Sequence, residues 1–269
     1  MPEVSADGGA PTDIELSLII PAYNEASSVG PLVERLAEVL TPLAIRFEVI
    51  VVDDGSTDDT RRALLELALR RRWLRVLGLA QNSGQTAALD AGFKAARGRI
   101  WATLDADLQN DPAEIPRLMA LLGPEVDMVN GWRKKRRDHF LRRVQTRIAN
   151  GVRNVLSGEN IHDSACSLKV YKRACLEGIT LYRGLHRFLP TLVKMRGYRV
   201  IEVPVSHQPR AYGAPKYKFG SRVIRAFVDL LAVRWMKNRV LRYQVEEWTG
   251  TVPPHGGAPR EPRSGLHEI

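Results

Sequence analysis

Trp101-Ala-Thr-Leu-Asp-Ala-Asp-Leu-Gln109 is an apolar run that ends abruptly in two carboxylates one residue apart. Folded as a buried strand, it would bring Asp105 and Asp107 out together at its carboxyl end, with the Gln109 amide close behind. Oxygen ligands spaced that tightly suit a hard divalent ion, Mg²⁺ or Mn²⁺, that still takes further ligands from a phosphate. In open α/β sheets, ligands bind just beyond the carboxyl ends of the strands. A capped strand-to-helix turn is the plainer account of an Asp-x-Asp triplet standing alone, so its surroundings decide.

Outward from this stretch, apolar runs alternate with helical patterns. Strands are expected at Leu16–Ile20, Phe47–Val52, Leu74–Leu79, Ile100–Leu104 and Val126–Val129, and helices at Ser27–Leu40, Asp58–Arg71, Gln85–Ala96 and Pro112–Leu122. That alternation predicts an α/β fold, a parallel sheet with helices on both faces. Glu48-Val-Ile-Val-Val52 is apolar enough for a central strand buried on both sides. Two more strand ends resemble the first: Pro21-Ala-Tyr-Asn-Glu25 after strand one and Asp53-Asp-Gly-Ser-Thr-Asp58 after strand two. Three neighbouring termini would deliver Tyr23, Glu25, Asp53, Asp54, Asp105 and Asp107 to one rim. Carboxylates so close repel one another, and such a rim is stable chiefly when cations or ribose hydroxyls occupy it. Turn chemistry with a helix cap also explains Asp53-Asp-Gly-Ser-Thr, but it needs only one acid.

The chain of 269 residues carries a formal charge of +10, with 44% hydrophobic and 26% charged residues. Ordinary composition with so strong a positive balance points to a polyanionic partner: nucleic acid, an anionic membrane face or phosphorylated substrates. Cys166 and Cys175 form no disulfide framework or metal-ligand spacing, which makes a reducing cytoplasm the default. The N-terminus lacks the basic-then-apolar order of a signal peptide, and no run of about 18 apolar residues would span a bilayer. Residues 1–14 read as a disordered leader, 15–240 as one domain and 241–269 as a flexible tail. Within the domain the character changes at about residue 130, from strand-helix alternation over 15–130 to basic helices over 131–240, with a strand at Tyr198–Val205 and an amphipathic helix near 221–239.

Ser17-Leu-Ile-Ile-Pro-Ala-Tyr-Asn-Glu25, Val51-Val-Asp-Asp-Gly-Ser56, Asn82-Ser-Gly-Gln-Thr-Ala-Ala-Leu-Asp-Ala-Gly92 and Asp105-Ala-Asp-Leu-Gln109 together resemble glycosyltransferase family 2, with its GT-A fold. Leu-Gln after Asp-Ala-Asp is similar to the dolichyl- and polyprenyl-phosphate sugar transferases. The likeness continues through Ile161-His-Asp-Ser-Ala-Cys-Ser-Leu-Lys169, Gly184-Leu-His-Arg-Phe-Leu-Pro190 and Pro209-Arg-Ala-Tyr-Gly-Ala-Pro-Lys-Tyr217, covering roughly residues 15–235. It implies that Pro21, Tyr23, Glu25 and Asp53 hold the nucleoside with Asp54 nearby. It implies that Asp105, Asp107 and Gln109 hold the metal and the donor diphosphate, and that Arg210 and Lys216 lie on a loop closing over the donor. Relatives often carry Ser before that lysine, where this chain has Pro215.

Arg133-Lys-Lys-Arg-Arg137 with Arg142, Arg143 and Arg147 gathers eight cations around one acid, Asp138. Phe140, Val144, Ile148, Val152 and Val155 follow at nearly helical spacing, as in a helix lying at an anionic membrane surface. Ile224, Phe227, Val228, Leu231 and Trp235 repeat the theme in the last helix, where core packing is an equal alternative. By resemblance, Arg133 and an arginine of the helix after it would grip the acceptor phosphate. Arg143 and Arg147 are favoured over Arg142 because they share a face.

The expected activity is therefore inverting transfer of a sugar from a UDP- or GDP-linked donor to a polyprenyl or dolichyl monophosphate, by a protein peripheral on the cytoplasmic face of the cell membrane. A phosphate monoester, with a second pKa near 6, is already anionic at neutral pH and needs no base. The work falls to positioning and charge stabilisation by Asp107, Arg133 and Lys216, with Asp163 the first carboxylate to test as a base. Transfer to a hydroxyl acceptor in cell-wall or surface polysaccharide synthesis is the alternative, and would require such a base. A nucleotidylyltransferase is disfavoured because Pro21-Ala-Tyr-Asn-Glu25 lacks a Gly-rich basic loop, and a nucleic-acid module because no aromatic-rich basic strand or zinc spacing accompanies the charge. His162, His186 and His207 receive no chemical role, and the sequence leaves the oligomeric state open.

Overall fold

The computed structural model describes residues 14–133, 161–209 and 221–241, the last segment with side chains from 228 onward. The expected first half is present: β1 (Leu16–Ala22), α1 (Ala26–Leu40), β2 (Phe47–Asp53), α2 (Thr60–Arg70), β3 (Leu74–Gly78), α3 (Gln85–Ala95), β4 (Ile100–Thr103) and α4 (Glu114–Met119). Then come β5 (Met128–Arg133), β6 (Lys169–Lys172), α5 (Leu189–Met195), β7 (Val200–Val205) and α6 (Ser221–Lys237). The seven strands form one sheet in the order β3-β2-β1-β4-β6-β5-β7.

β1 explains why this sheet is buried on both sides. Its alternate residues Leu18 and Ile20 join one core cluster, together with Val49 and Val51 of β2, while Ile19 joins the other with Ile50 and Val52. Helix α1 covers the first face through Val29, Leu32, Val33 and Leu36, and α3 covers the second through Ala88, Leu89 and Phe93. Strands apolar at every position have this two-faced environment as their natural place.

The sheet is mixed rather than wholly parallel. β6 runs antiparallel between β4 and β5, with Trp101 opposite Tyr171 and Val129 opposite Val170. Strand β5 also differs from the sequence reading: it begins at Met128 and runs on to Arg133, paired in parallel with β7 from Met128↔Val200 to Arg133↔Val205. Asn130, Gly131 and Trp132 carry little apolar signal, and the ladder with β7 is what makes them strand. Helix α4 is shorter than Pro112–Leu122, and α2 starts at Thr60 because Asp58 caps it from outside, accepting the Thr60 N–H at 3.0 Å.

The two ends of the sheet are sealed differently. At the amino end, buried Glu48 accepts Ser17 Oγ at 2.6 Å, Arg75 Nη1 at 2.5 Å and the Arg97 N–H at 2.8 Å. At the carboxyl end, the β2 turn presses on the segment after β3. Gly55 has φ +67°, and a Cβ there would lie 2.4 Å from the Gln81 carbonyl carbon, so only glycine fits.

The apolar residues of helix α6 divide between core and surface from residue 228 onward. Leu230 and Val233 are buried against Leu185, Phe188 and Leu192, whereas Val228, Leu231 and Trp235 are exposed. Among the described residues no helix is long and apolar enough to cross a membrane. The leader up to residue 13, the basic stretch from 134 through the expected helix with Arg143 and Arg147, the loop with Arg210 and Lys216, and the tail from residue 242 lie outside the described residues.

Candidate active site at the carboxyl ends of β1, β2, β4 and β5

β2, β1 and β4 are adjacent in the sheet, so their three tips share one rim. The first two are laced together. Asn24, in the left-handed region at φ +51°, donates its N–H to Ser56 Oγ at 2.9 Å and accepts the Thr57 N–H at 2.8 Å. The Glu25 N–H donates to Thr60 Oγ1 at 2.7 Å, and the buried Glu25 carboxylate accepts Ser28 Oγ at 2.8 Å. Pro21 lies in β1, one residue before its end, and Tyr23 follows it into the turn.

The acids at this rim have different duties. Asp53, the last residue of β2 and wholly buried, accepts the Ser56 N–H at 3.0 Å and Arg61 Nε at 2.9 Å. Asp54 turns inward. Its carboxylate accepts Asn82 Nδ2 at 3.0 Å, the Ser83 N–H at 2.7 Å and the Gly84 N–H at 2.9 Å, which holds the loop leading into α3. The resemblance implies that Asp54 lies near the nucleoside; its carboxylate accepts all three of these donors from the loop before α3.

Asp105 and Asp107 form the centre. Burial, and next the Asp107 charge, push the Asp105 carboxyl up to about 6, against the stabilising influence of Ser167, Lys169 and Arg133. Asp107 is 6% exposed and accepts the Gln109 N–H at 3.2 Å, across Leu108 at φ +57°. A non-glycine residue held at positive φ between two candidate ligands is strain of the kind found at functional sites. Gln109 is tied to the segment after β7, donating Nε2 to the Gln208 carbonyl at 3.4 Å and accepting the Gln208 N–H at 2.8 Å. Two repelling carboxylates with an amide nearby are a donor set that fits Mg²⁺ or Mn²⁺. Among the described residues no group of three His, Cys, Asp or Glu side chains could hold a metal by itself, so the remaining ligands would come from elsewhere.

Beside this acidic centre stands a cationic one. Arg133, at the end of β5, donates Nε to Asp163 Oδ2 at 2.6 Å and Nη2 to Oδ1 at 2.9 Å, both side chains being nearly buried. Burial opposes the guanidinium charge, but Asp163 outweighs it and holds Arg133 above its usual range. Lys169, at the start of β6, is 3% exposed. Burial lowers its pKa, while Cys166, Asp163 and Asp105 work the other way. Glu202 organises the turn that carries Asp163, accepting the His162 and Asp163 N–H groups at 2.8 and 3.2 Å and Asn130 Nδ2 at 3.0 Å.

Sequence reasoning gave no role to Lys169, Glu202, Gln85, Thr86 or His186. Gln85 Nε2 donates to Asp105 Oδ1 at 2.9 Å, and Thr86 Oγ1 lies 2.7 Å from His186 Nδ1. Lys169, Gln85, Thr86 and His186 fall inside quoted motifs, which is their signal; Glu202 has none. Burial, then Arg187 and Lys169, lower the His186 pKa to about 3. An unfolded histidine near 6.5 binds a proton that the folded ring refuses, so this contribution to stability is whole above pH 6.5 and is lost as pH falls toward 3. We expect His186→Gln to flatten the decline of stability over that interval, measured as chemical-denaturation midpoint against pH.

The chain has counterparts among known proteins. The family model described as glycosyl transferase family 2 matches residues 17–180. The chain belongs to glycosyl transferase family 2. The family 2 chain is 43% identical over 225 residues to the dodecaprenyl-phosphate galacturonate synthase of Rhizobium johnstonii, covering 82% of this chain and 66% of that protein. It is 36% identical over 218 residues to the undecaprenyl-phosphate 4-deoxy-4-formamido-L-arabinose transferase of Proteus mirabilis, covering 81% and 67%. The chain thus spans about two thirds of the length of these relatives. In fold it is similar to glucosyl-3-phosphoglycerate synthase of Mycobacterium tuberculosis, crystallised with Mn²⁺, UDP and phosphoglyceric acid: TM-score 0.65, 18% identity, 85% of this chain and 80% of that one. A mannosyltransferase of Pyrobaculum calidifontis, crystallised with GDP-Man and Mn²⁺, gives a TM-score of 0.58 at 24% identity over 85% and 65%.

Proposed function

We propose that this family 2 glycosyltransferase moves a sugar from a nucleotide-sugar to a polyprenyl monophosphate, with inversion at the anomeric carbon. The observation that carries the reading is one juxtaposition: the Asp105–Asp107 pair at the tip of β4 beside the nearly buried Arg133 and the buried Lys169 of the neighbouring strands β5 and β6. An acidic pair suits a cation-bridged diphosphate, and a cationic pocket next to it suits a second phosphate. The names of the two relatives, both acting on polyprenyl phosphates, agree with that division.

In this reading Pro21, Tyr23, Glu25 and Asp53 bind the nucleoside, and Asp105, Asp107 and Gln109 bind Mg²⁺ or Mn²⁺ together with the donor diphosphate. The bound cation supplies charge neutralisation for the diphosphate as it leaves. Arg133 draws the acceptor phosphate close to an already anionic donor, and Asp163 fixes the guanidinium fork that does so. Arg143, Arg147, Arg210 and Lys216 complete the acceptor and donor clamps. The phosphate oxygen attacks unaided, because it carries negative charge at neutral pH. Transfer to a hydroxyl would instead need a carboxylate base, and both Asp163 oxygens already accept from Arg133. Radiolabelled UDP- and GDP-sugars offered with undecaprenyl phosphate and Mn²⁺ or Mg²⁺ should yield chloroform-extractable label with one pair. Label confined to a water-soluble glycan would sink the proposal.

The same reading places the protein on the cytoplasmic membrane face. Exposed Val228, Leu231 and Trp235 on α6 have Arg234, Lys237 and Arg239 among them, with the Arg239 guanidinium 5.3 Å from the Trp235 ring. Burying a large aromatic is worth about 1.5–3 kcal/mol, and each nearby cation adds about 1 kcal/mol at an anionic surface. Trp235→Glu should weaken sedimentation with phosphatidylglycerol vesicles about tenfold or more; equal binding by the variant would remove α6 from the account.

A further inference from the structure

The turn from Gly184 to Phe188 is tied to the start of α3, beside the acidic centre, and nothing assigned so far uses it. Thr86 joins it to α3. Thr86 Oγ1 accepts the Gly184 N–H at 2.9 Å and lies 2.7 Å from His186 Nδ1. The preceding residue, Gln85, reaches Asp105 Oδ1 at 2.9 Å. One helical turn therefore touches Asp105 with one side chain and the histidine with the next.

Gln85 and Thr86, consecutive in α3, thus tie Asp105 and His186 to the same helical turn. The Lys169 charge also bears on both groups. In an inverting displacement the sugar lies between the departing diphosphate and the incoming phosphate, in line with both. A sugar leaving a diphosphate held at Asp105 and Asp107 would lie beside that helical turn.

The ring is held in one state. Oγ1 of Thr86 accepts the Gly184 N–H, and in the tautomer assigned here it donates its own hydrogen to Nδ1, with the imidazole proton on Nε2. Burial, with Arg187 and Lys169, keeps the ring neutral. The turn itself is rigid. Gly184 has φ +92°, a Cβ there would meet Asp229 Oδ2 at 2.4 Å, and Leu185 and Phe188 on either side of His186 are buried in the cluster with Leu230 and Val233.

We propose that His186 is a sugar-binding residue of the donor pocket, anchored through Nδ1 to Thr86 and donating its Nε2–H to a hydroxyl of the transferred sugar. The proposal rests on the transferase reading above. A neutral N–H at this position selects for an oxygen acceptor on the sugar ring without adding charge near the diphosphate, and loss of one such bond costs about 10- to 100-fold.

The test measures binding of UDP and of UDP-galacturonic acid, with GDP and GDP-mannose as a second pair, all with Mn²⁺, by titration calorimetry. Free UDP or GDP has no sugar and reports the rest of the pocket. His186→Ala is expected to lower affinity for the sugar nucleotide about tenfold or more while affinity for the free diphosphate stays within about twofold. His186→Gln, whose amide nitrogen can stand where Nε2 stood, should recover most of the loss, and His186→Asn should not. Thr86→Val, which frees the ring without touching it, should show the same sugar-dependent loss in smaller measure. Parallel loss for both ligands, or Gln no better than Ala, would overturn the assignment while leaving the transferase reading intact. If the unaltered chain binds none of the four nucleotides, both fall together.

Discussion

Asp107→Asn is expected to lower transfer by about 10³-fold or more while leaving the metal-free fold as stable as before, or more so. The two halves of that expectation have one electrostatic cause. Asp105 and Asp107 stand close enough that Asp107 is, after burial, the main reason the Asp105 carboxyl titrates near 6. Neutralising one acid removes a repulsion, so a thermal melt without metal should not fall. The same change takes away half of the charge offered to a divalent cation, and charge neutralisation at a leaving phosphate is worth several kcal/mol. About 4 kcal/mol corresponds to about 10³ in rate. Mn²⁺ titration, melting and product formation on one preparation check all parts together. Full turnover by the variant would end the assignment of this pair, and a collapsed melt would show that Asp107 is structural.

Arg133→Met is expected to fail in the opposite manner, losing stability and activity at once. Removing the guanidinium strands Asp163, nearly buried, without its two charge-assisted bonds of 2.6 and 2.9 Å. Breaking a buried pair at one end costs about 3–5 kcal/mol. For a chain of this size that is roughly 6–20 °C in melting temperature. Removing both charges is far cheaper, so Arg133→Met with Asp163→Leu should recover much of the stability and none of the transfer. Arg133→Lys should recover little of either, since an ammonium cannot make the bidentate fork. Recovery of turnover in the double variant would show that the pair serves only the fold.

The parts of this protein that could be read from the chain are those in which meaning is local. Leu18-Ile19-Ile20 and Val49-Ile50-Val51-Val52 are apolar at every position, and both sheet faces use them. The acids at the tips of β1, β2 and β4 were legible as a rim because a strand end and its turn are contiguous in sequence. Strand β6 escaped notice: it has four residues with lysine at both ends, and its partners come from β4 and β5 rather than from its own pattern. For Asp54, expected near the nucleoside, the sequence shows an acid but not its direction. Three donors from residues 82–84 turned it inward.

What the sequence alone determined is the alternation of strands and helices, the acidic rim and the family to which the motifs belong, because burial periodicity and turn chemistry act over a few residues. The tertiary structure decided the rest: which partners each acid of the rim takes, that Arg133 clasps Asp163 from 30 residues away, and that Thr86 meets His186 across 100. Those choices depend on strand register and on the inserted antiparallel strand. Groups so distant in the chain acquire their charge states and partners only when the sheet has closed around them.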